Sequence, residues 1–176
     1  MDPDEQTQWL TTHIPHRVRA ATARLDMTRS LLGVRALIDP ECRTVTDKVY
    51  WRCSTDSIWE GRLAATRWLI EFVGIKEGPE GNPAVAGKSK HGKDVRIDDL
   101  EGGELFDHST DQGRRLASLW KGCSQASGHA TKAYDHPSVS DKKELPDGLA
   151  IILDHLQRTI YQKAGMNIRD HVLSST

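Results

Sequence analysis

The segment 54–74 constrains the fold more than any other part of the sequence, because it carries apolar residues on more than one helical face. It opens with cap candidates, among them Ser57, whose spacing to Glu60 is that of a capping box, and it closes at Gly74. The apolar positions between these ends are Ile58, Trp59, Leu63, Ala65, Leu69, Ile70, Phe72 and Val73. Such a wide apolar surface is typical of a helix that packs on several neighbours. We therefore predict that 54–74 is the central helix of a helical core.

Amphipathic segments flank this central helix on both sides. The helices predicted from their periodicity cover 4–10, about 15–25, 110–127 and 145–165, the last beginning after Asp141 or at Leu145. Pro15 suits the first position of a helix, and Gly128 suits a helix end. The polar tail, 166–176, is expected to fray or to dock as an extra turn. Together these segments predict a mainly α fold, a four-helix bundle that forms a single domain over 1–176.

A glycine- and proline-rich stretch, 76–110, separates the second long helix from the third. A connection of this length without structure is unusual in a compact domain, so we expect an insertion or lid that covers one end of the helices. The alternation of apolar and polar residues within 95–106 predicts that it carries a small β-hairpin. The alternative fold is an α/β sandwich, which requires sheet strands at both 44–51 and 94–106.

Charge and cysteine content exclude several classes of protein. The 176 residues carry 24 Lys and Arg against 25 Asp and Glu, a formal net charge of -1, so the charge balance does not indicate nucleic acid, although a local patch would still allow it. The longest apolar runs are too short for a membrane span. Three widely spaced cysteines and an acidic, polar N-terminus predict reduced thiols and a cytoplasmic location.

The densest group of polar residues follows the third long helix, and a candidate site is predicted there. Its members are Ser127, His129, Thr131, Tyr134, Asp135 and His136. A helix C-terminus favours protonated histidine, so we assign His129 a catalytic role and the other five residues a ligand-binding role. The alternative interpretation is that His129 caps the last carbonyl groups of the helix.

Two arginines within the apolar central helix are the second candidate feature. Arg62 and Arg67 lie five positions apart, and the simplest interpretation pairs them with Glu60 or Glu71. The functional interpretation directs one of them into the bundle, where an arginine, His129 and a carboxylate would bind a phosphate or polarise a 2'-hydroxyl. Asp135 and Asp154 are the candidate carboxylates.

Metal and nucleophile chemistry have weaker support in the sequence. The candidate metal ligands are His13, His16, His129, His136 and the pair Asp154 and His155, but they form neither an HxxxH nor an HExxH pattern. Cys123 lies on the apolar face of its helix, where a thiol is normally inert. The sequence contains no Gly-x-Ser-x-Gly motif and no complete phosphate-binding loop. We therefore expect neither a metal nor a cofactor.

The central helix contains Glu60-Gly61-Arg62 and Thr66-Arg67-Trp68, and a later helix ends at Ser127-Gly128-His129. These two helices resemble the helical HEPN-type domains of bacterial defence and toxin systems. The resemblance spans two helices. It implies a four-helix bundle, often dimeric, whose active members cut RNA without metal by means of an arginine followed four to six residues later by a histidine. No histidine follows Arg62 or Arg67 at that distance, so the resemblance implies a non-catalytic member.

The leading hypothesis is a non-catalytic helical module that binds a small ligand or a protein, with a pocket roofed by 76–110 and a homodimer formed through an exposed helix face. The alternative is an enzyme, with either a metal-independent RNase-like site at Arg62 or Arg67 and His129, or a metal-dependent hydrolase site at His129, His136 and His155. Five tryptophans accompany only two phenylalanines. We predict that Trp59 and Trp120 are mostly buried and that Trp9 or Trp51 is partly exposed.

Overall fold

Helices make up most of the described chain in this computed structural model, which describes residues 1–23, 45–87, 95–128 and 144–173. Helix α1 runs continuously through Pro3–Gln8, a π-helical turn at Trp9–His13, and Ile14–Thr22. The other helices are α2 (Val45–Phe72), α3 (Asp111–Gly128), α4 (Glu144–Leu156, continued by a π-helical turn at Gln157–Tyr161) and α5 (Ile168–Leu173). Two short antiparallel strands, β1 (Ile75–Glu77) and β2 (Pro83–Val85), follow α2. The mainly α fold with a small hairpin is confirmed.

Helix α2 lies at the centre, as its broad apolar surface predicts. Leu63, Leu69 and Ile70 are buried within it, and it packs against both α1 and α3. The helix begins at Val45, earlier than the predicted caps, so the extended conformation considered for 44–51 is wrong for its described part. Its end agrees with the prediction, because Gly74 adopts a φ of 92° just beyond it.

One core joins α1, α2, α3 and α4. Buried apolar residues from each of these helices form a continuous cluster, and the fully buried Tyr161, Ile152 and Leu156 of α4 belong to it. All the tryptophans with described side chains, Trp9, Trp59, Trp68 and Trp120, are partly buried against this cluster. The greater exposure predicted for Trp9 than for Trp59 stays a prediction. Trp51 lies outside the described side chains. None of the described helices is long and apolar enough to cross a membrane.

Helix α1 corrects the prediction of two separate helices at its N-terminal end. Pro15 lies inside a continuous helix instead of starting one. The preceding turn is π-helical, and the Ile14 N–H donates to the carbonyl of Trp9 rather than to that of Leu10. Proline cannot donate a backbone hydrogen bond, and a widened turn relieves the clash of its ring with the preceding turn. Pro15, which predicts a helix start in the sequence, therefore follows a π-helical turn inside a longer helix.

The hairpin forms at the start of the 76–110 insertion and not within 95–106. There, Ile97–Asp99 forms a 3-10 turn, and the Arg96 N–H donates to Asp99 Oδ2 at 2.9 Å. A Cβ atom on Gly103 would lie 1.7 Å from the carbonyl oxygen of Ile97, which shows how tightly the chain folds back here. The α/β sandwich is therefore wrong, because neither of its predicted strands forms in the described part of the chain.

Candidate functional site

Arg62 connects α2 to the end of α1. Its Nε–H donates to the carbonyl oxygen of Ala21 at 3.2 Å, and its guanidinium carbon lies 5.4 Å from the centroid of the Trp59 ring. Burial lowers the pKa of Arg62. A cation at the C-terminal end of a helix interacts favourably with the helix dipole. These contacts are those of a residue that holds two helices together.

Arg67 connects α2 to α3 through a shared carboxylate. Its Nε–H donates to Glu71 Oε1 at 3.0 Å, and the same oxygen accepts from Trp120 Nε1 at 2.8 Å. The Arg67 guanidinium also lies over the Trp120 ring, 5.3 Å from its centroid. The pairing of Arg67 with Glu71 that its sequence spacing predicts is confirmed. Arg67 and Arg62 thus belong to different helix contacts.

The remaining predicted site residues are not among those that the structure places. His129, Thr131, Tyr134, Asp135 and His136 lie outside the described residues, and so does the side chain of Ser127. Their assigned roles stay predictions. Asp154, the other candidate carboxylate, forms an exposed ion pair with Arg158 at 2.9 Å on α4.

His155 is buried in the position expected of a structural histidine. Its Nε2–H donates to the carbonyl oxygen of Glu104 at 2.8 Å, and its ring lies 4.8 Å from that of Phe106. Burial lowers the pKa of His155 more than its contacts with Glu104 raise it. The side chain is therefore neutral at neutral pH and holds the end of the 76–110 insertion against α4.

The described side chains offer little metal or thiol chemistry. No group of three His, Cys, Asp or Glu residues among them could hold a metal ion, and His13 and His16 are exposed on α1. Cys123 is buried, and burial raises the pKa of its thiol to about 12. Because the thiolate is the reactive form, Cys123 is inert near neutral pH. The interpretation of Cys123 as a core residue agrees with this position.

Helices α1, α4 and α5 enclose a groove outside the core. Its volume is about 650 Å³. Apolar side chains form most of its surface: Val18 of α1, Ala150 and Leu153 of α4, and Ile168 and Val172 of α5. Its polar lining residues are Thr22, Asp154, Gln157, Asn167 and Arg169. Volume and lining are those of a ligand site, which is typically a mostly apolar cavity of about 300–1,000 Å³ with a few polar groups.

Hydrogen bonds from α1 and α4 fix α5 as one wall of the groove. The Gln157 side chain donates to the Met166 carbonyl at 3.2 Å and accepts from the Ile168 N–H at 3.0 Å. Arg19 Nη1 donates to the carbonyl oxygen of His171 in α5 at 2.9 Å. The groove is therefore preformed by side-chain contacts to the backbone around α5.

Sequence reasoning missed this groove. The 166–176 tail was expected to fray or to dock as an extra turn, and 168–173 docks as a helix. Ile168 and Val172, four positions apart after Gly165, were the available signal of an apolar helical face. The groove lining contains no residue of 76–110, so it is a different site from the pocket predicted beneath the insertion.

Comparison with known proteins gives no relative from which a function can be transferred. No family model matches the chain, and neither a curated protein nor a solved structure matches it. The resemblance to HEPN-type domains therefore stays a prediction.

Proposed function

We propose that this chain is a non-catalytic binding module and that its ligand occupies the groove between α1, α4 and α5. The observation that carries the proposal is a preformed, mostly apolar groove of about 650 Å³. Apolar surface that stays open to water is costly, and it is retained at the surface chiefly where something binds. A ligand with an apolar body would release water from Ala150, Leu153 and Val172, which line the groove and are exposed or half-buried.

The contacts of the arginines support binding over catalysis. Arg62 is bonded to the α1 backbone, and Arg67 is bonded to Glu71 and lies over Trp120. A catalytic arginine must direct its guanidinium toward a reacting group, and here each Nε–H is committed to a helix contact. A nuclease that uses either arginine would have to act through the Nη groups while these contacts hold the side chain in place.

A plug in the groove tests this function. The probe is N-phenyl-1-naphthylamine, a neutral dye whose fluorescence rises in apolar surroundings. Ala150 is an exposed residue of α4 that lines the groove, so Ala150→Trp fills the groove without entering the core. We expect the wild-type chain to bind the dye and Ala150→Trp to weaken binding at least about tenfold, equivalent to about 1.4 kcal/mol.

Ala64→Trp is the matched control, because Ala64 is an exposed residue of α2 that does not line the groove. It should bind the dye as the wild-type chain does. Thermal unfolding of both variants reports whether the fold is retained. Failure of the wild-type chain to bind the dye, or equal binding by Ala150→Trp, would contradict the proposed function.

A further inference from the structure

We infer that the groove binds an amphiphile, an apolar chain that ends in a carboxylate, with Arg169 as the residue that recognises the carboxylate. The inference rests on the proposed function and adds to it the chemical class of the ligand. Two observations carry it. The surface of the groove is mostly apolar, and two of its polar residues have hydrogen-bond donors that no described residue uses.

The two charged side chains that line the groove, Asp154 and Arg169, differ in their ion pairs. Asp154 pairs with Arg158 at 2.9 Å, so its negative charge is balanced on α4 itself. Arg169 is exposed, lines the groove and forms no ion pair with any residue that the structure describes. Asp170, next to it in sequence, does not line the groove. Among the charged lining residues, and within the part of the chain that the structure describes, Arg169 is therefore the one without an ion pair, and its charge is positive.

The other polar lining residues already make hydrogen bonds within the chain. Asn167 Oδ1 accepts from the Arg169 N–H at 3.0 Å, which leaves only its amide nitrogen as a donor toward the groove. Gln157 uses both ends of its amide on the chain around α5. The Thr22 hydroxyl donates to the Val18 carbonyl at 2.8 Å. Among the polar lining residues, the donor groups with no hydrogen bond to a described residue are thus the Arg169 guanidinium and the Asn167 amide nitrogen.

An acceptor-only anionic group complements these two donors. The planar guanidinium of arginine binds a carboxylate through two parallel hydrogen bonds. An apolar chain attached to that carboxylate would lie against Leu153, Ile168 and Val172. The two parts of such a ligand therefore match the two parts of the groove surface.

The size of the groove favours an amphiphile over a helix of a partner protein. Ala150 and Gln157 bound the groove along α4, a distance of about 10 Å at 1.5 Å per residue. A groove of this length contacts only about two turns of a partner helix. A single alkyl chain can lie along the whole of it.

Displacement of the bound dye tests the inference. The probes are decanoate, below its micellar concentration, and 1-decanol, which has the same chain length and no charge. We expect decanoate to displace N-phenyl-1-naphthylamine at about one tenth the concentration of decanol, as a charge-assisted pair worth about 1.5 kcal/mol predicts. Arg169→Gln should remove this advantage, so that decanoate and decanol displace the dye at about the same concentration.

Arg114→Gln is the charge-matched control, because Arg114 is an exposed residue of α3 that does not line the groove. It should keep the preference for decanoate. Equal displacement by decanoate and decanol would overturn the carboxylate inference while the groove still binds apolar ligands. Dye binding that Ala150→Trp blocks but neither amphiphile displaces would also overturn it, and would favour a protein partner. Failure of the dye to bind contradicts the proposed function itself.

Discussion

Helices α1 and α4 approach each other in two places, one closed by a buried contact and one open as the groove. Near the start of α1, the buried Tyr161 hydroxyl of α4 donates to the Leu10 carbonyl at 2.7 Å, and the space between the helices is closed. Toward the end of α1, Val18 and Leu153 line an open groove. Both places are rich in apolar side chains. A polar group that reaches across the gap distinguishes the closed place from the open one.

The closed place depends on a local departure from α-helical geometry in both helices. The turn Trp9–His13 diverts the Ile14 N–H to the Trp9 carbonyl, which leaves the Leu10 carbonyl for Tyr161. Tyr161 itself ends a π-helical turn, in which the Gln162 N–H donates to the Gln157 carbonyl at 2.8 Å. Such turns redirect side chains and free backbone groups, here toward a contact between helices.

The largest expected effect is the difference in stability cost between substitutions on the core face of α4 and on its groove face. Ile152 is fully buried and its neighbour Leu153 lines the groove, so the two adjacent residues form a matched pair. We expect Ile152→Ala to lower the free energy of unfolding by about 2–5 kcal/mol, and Leu153→Ala by about 1 kcal/mol or less. Urea titration of each variant measures both values. A cost at Leu153 equal to that at Ile152 would show that the groove is part of the core.

The second prediction concerns the hydrogen bond that closes the other place. Tyr161→Phe keeps the ring but leaves the buried Leu10 carbonyl without its donor, which should cost about 1–3 kcal/mol of unfolding free energy. Pro15→Ala restores a backbone N–H and lets the turn return to α-helical geometry, in which Ile14 bonds to Leu10. In that background, the cost of Tyr161→Phe should fall well below its cost in the wild-type chain.

A double-mutant cycle in urea measures this coupling. Thr66→Val serves as the control, since the buried Thr66 hydroxyl donates to the Arg62 carbonyl within its own helix, where a backbone donor remains. It should cost less than Tyr161→Phe. Strictly additive costs for Pro15→Ala and Tyr161→Phe would contradict the link between the π-helical turn and the tyrosine hydroxyl.

Sequence patterns predicted the elements whose structure is decided locally. The core of α2, its glycine end and the bounds of α3 followed from helical periodicity and from Gly74 and Gly128, because burial on one helix repeats every few residues. The bond between Tyr161 and Leu10 joins residues 151 positions apart, and no local pattern contains it. The groove was missed for the same reason, since three distant helices form it.

Sequence spacing predicted the partner of one candidate arginine and not that of the other. Arg67 and Glu71, four positions apart on one helix, paired as their spacing predicts. Arg62 instead bonds to Ala21 of α1, which depends on how two helices pack. The insertion was misassigned in a similar way, because its alternating residues bury Ile97 and Phe106 against the core without forming strands.

The smallest expected effect is a pH dependence at His155, which follows Leu153 and Asp154 of the groove and faces the core. Burial holds the pKa of His155 below its ordinary value of 6.5, so the unfolded chain binds a proton more readily than the folded chain. The stability contributed by neutral His155 is therefore complete above pH 6.5 and falls as the pH decreases from 6.5 through the folded pKa. The charged groups that act on its pKa are Glu104, Asp154 and Arg158.

His155→Gln isolates this effect, because an amide N–H can still donate to the Glu104 carbonyl but does not titrate. Urea unfolding at pH 7.5, 6.5 and 5.5 should show the wild-type chain losing stability relative to His155→Gln only as the pH decreases below 6.5. His16→Gln, at an exposed position of α1, should follow the wild-type chain. A difference between wild type and His155→Gln that stays constant with pH would mean that His155 titrates alike in both states. The core face of α4 would then be open to water, as its groove face is.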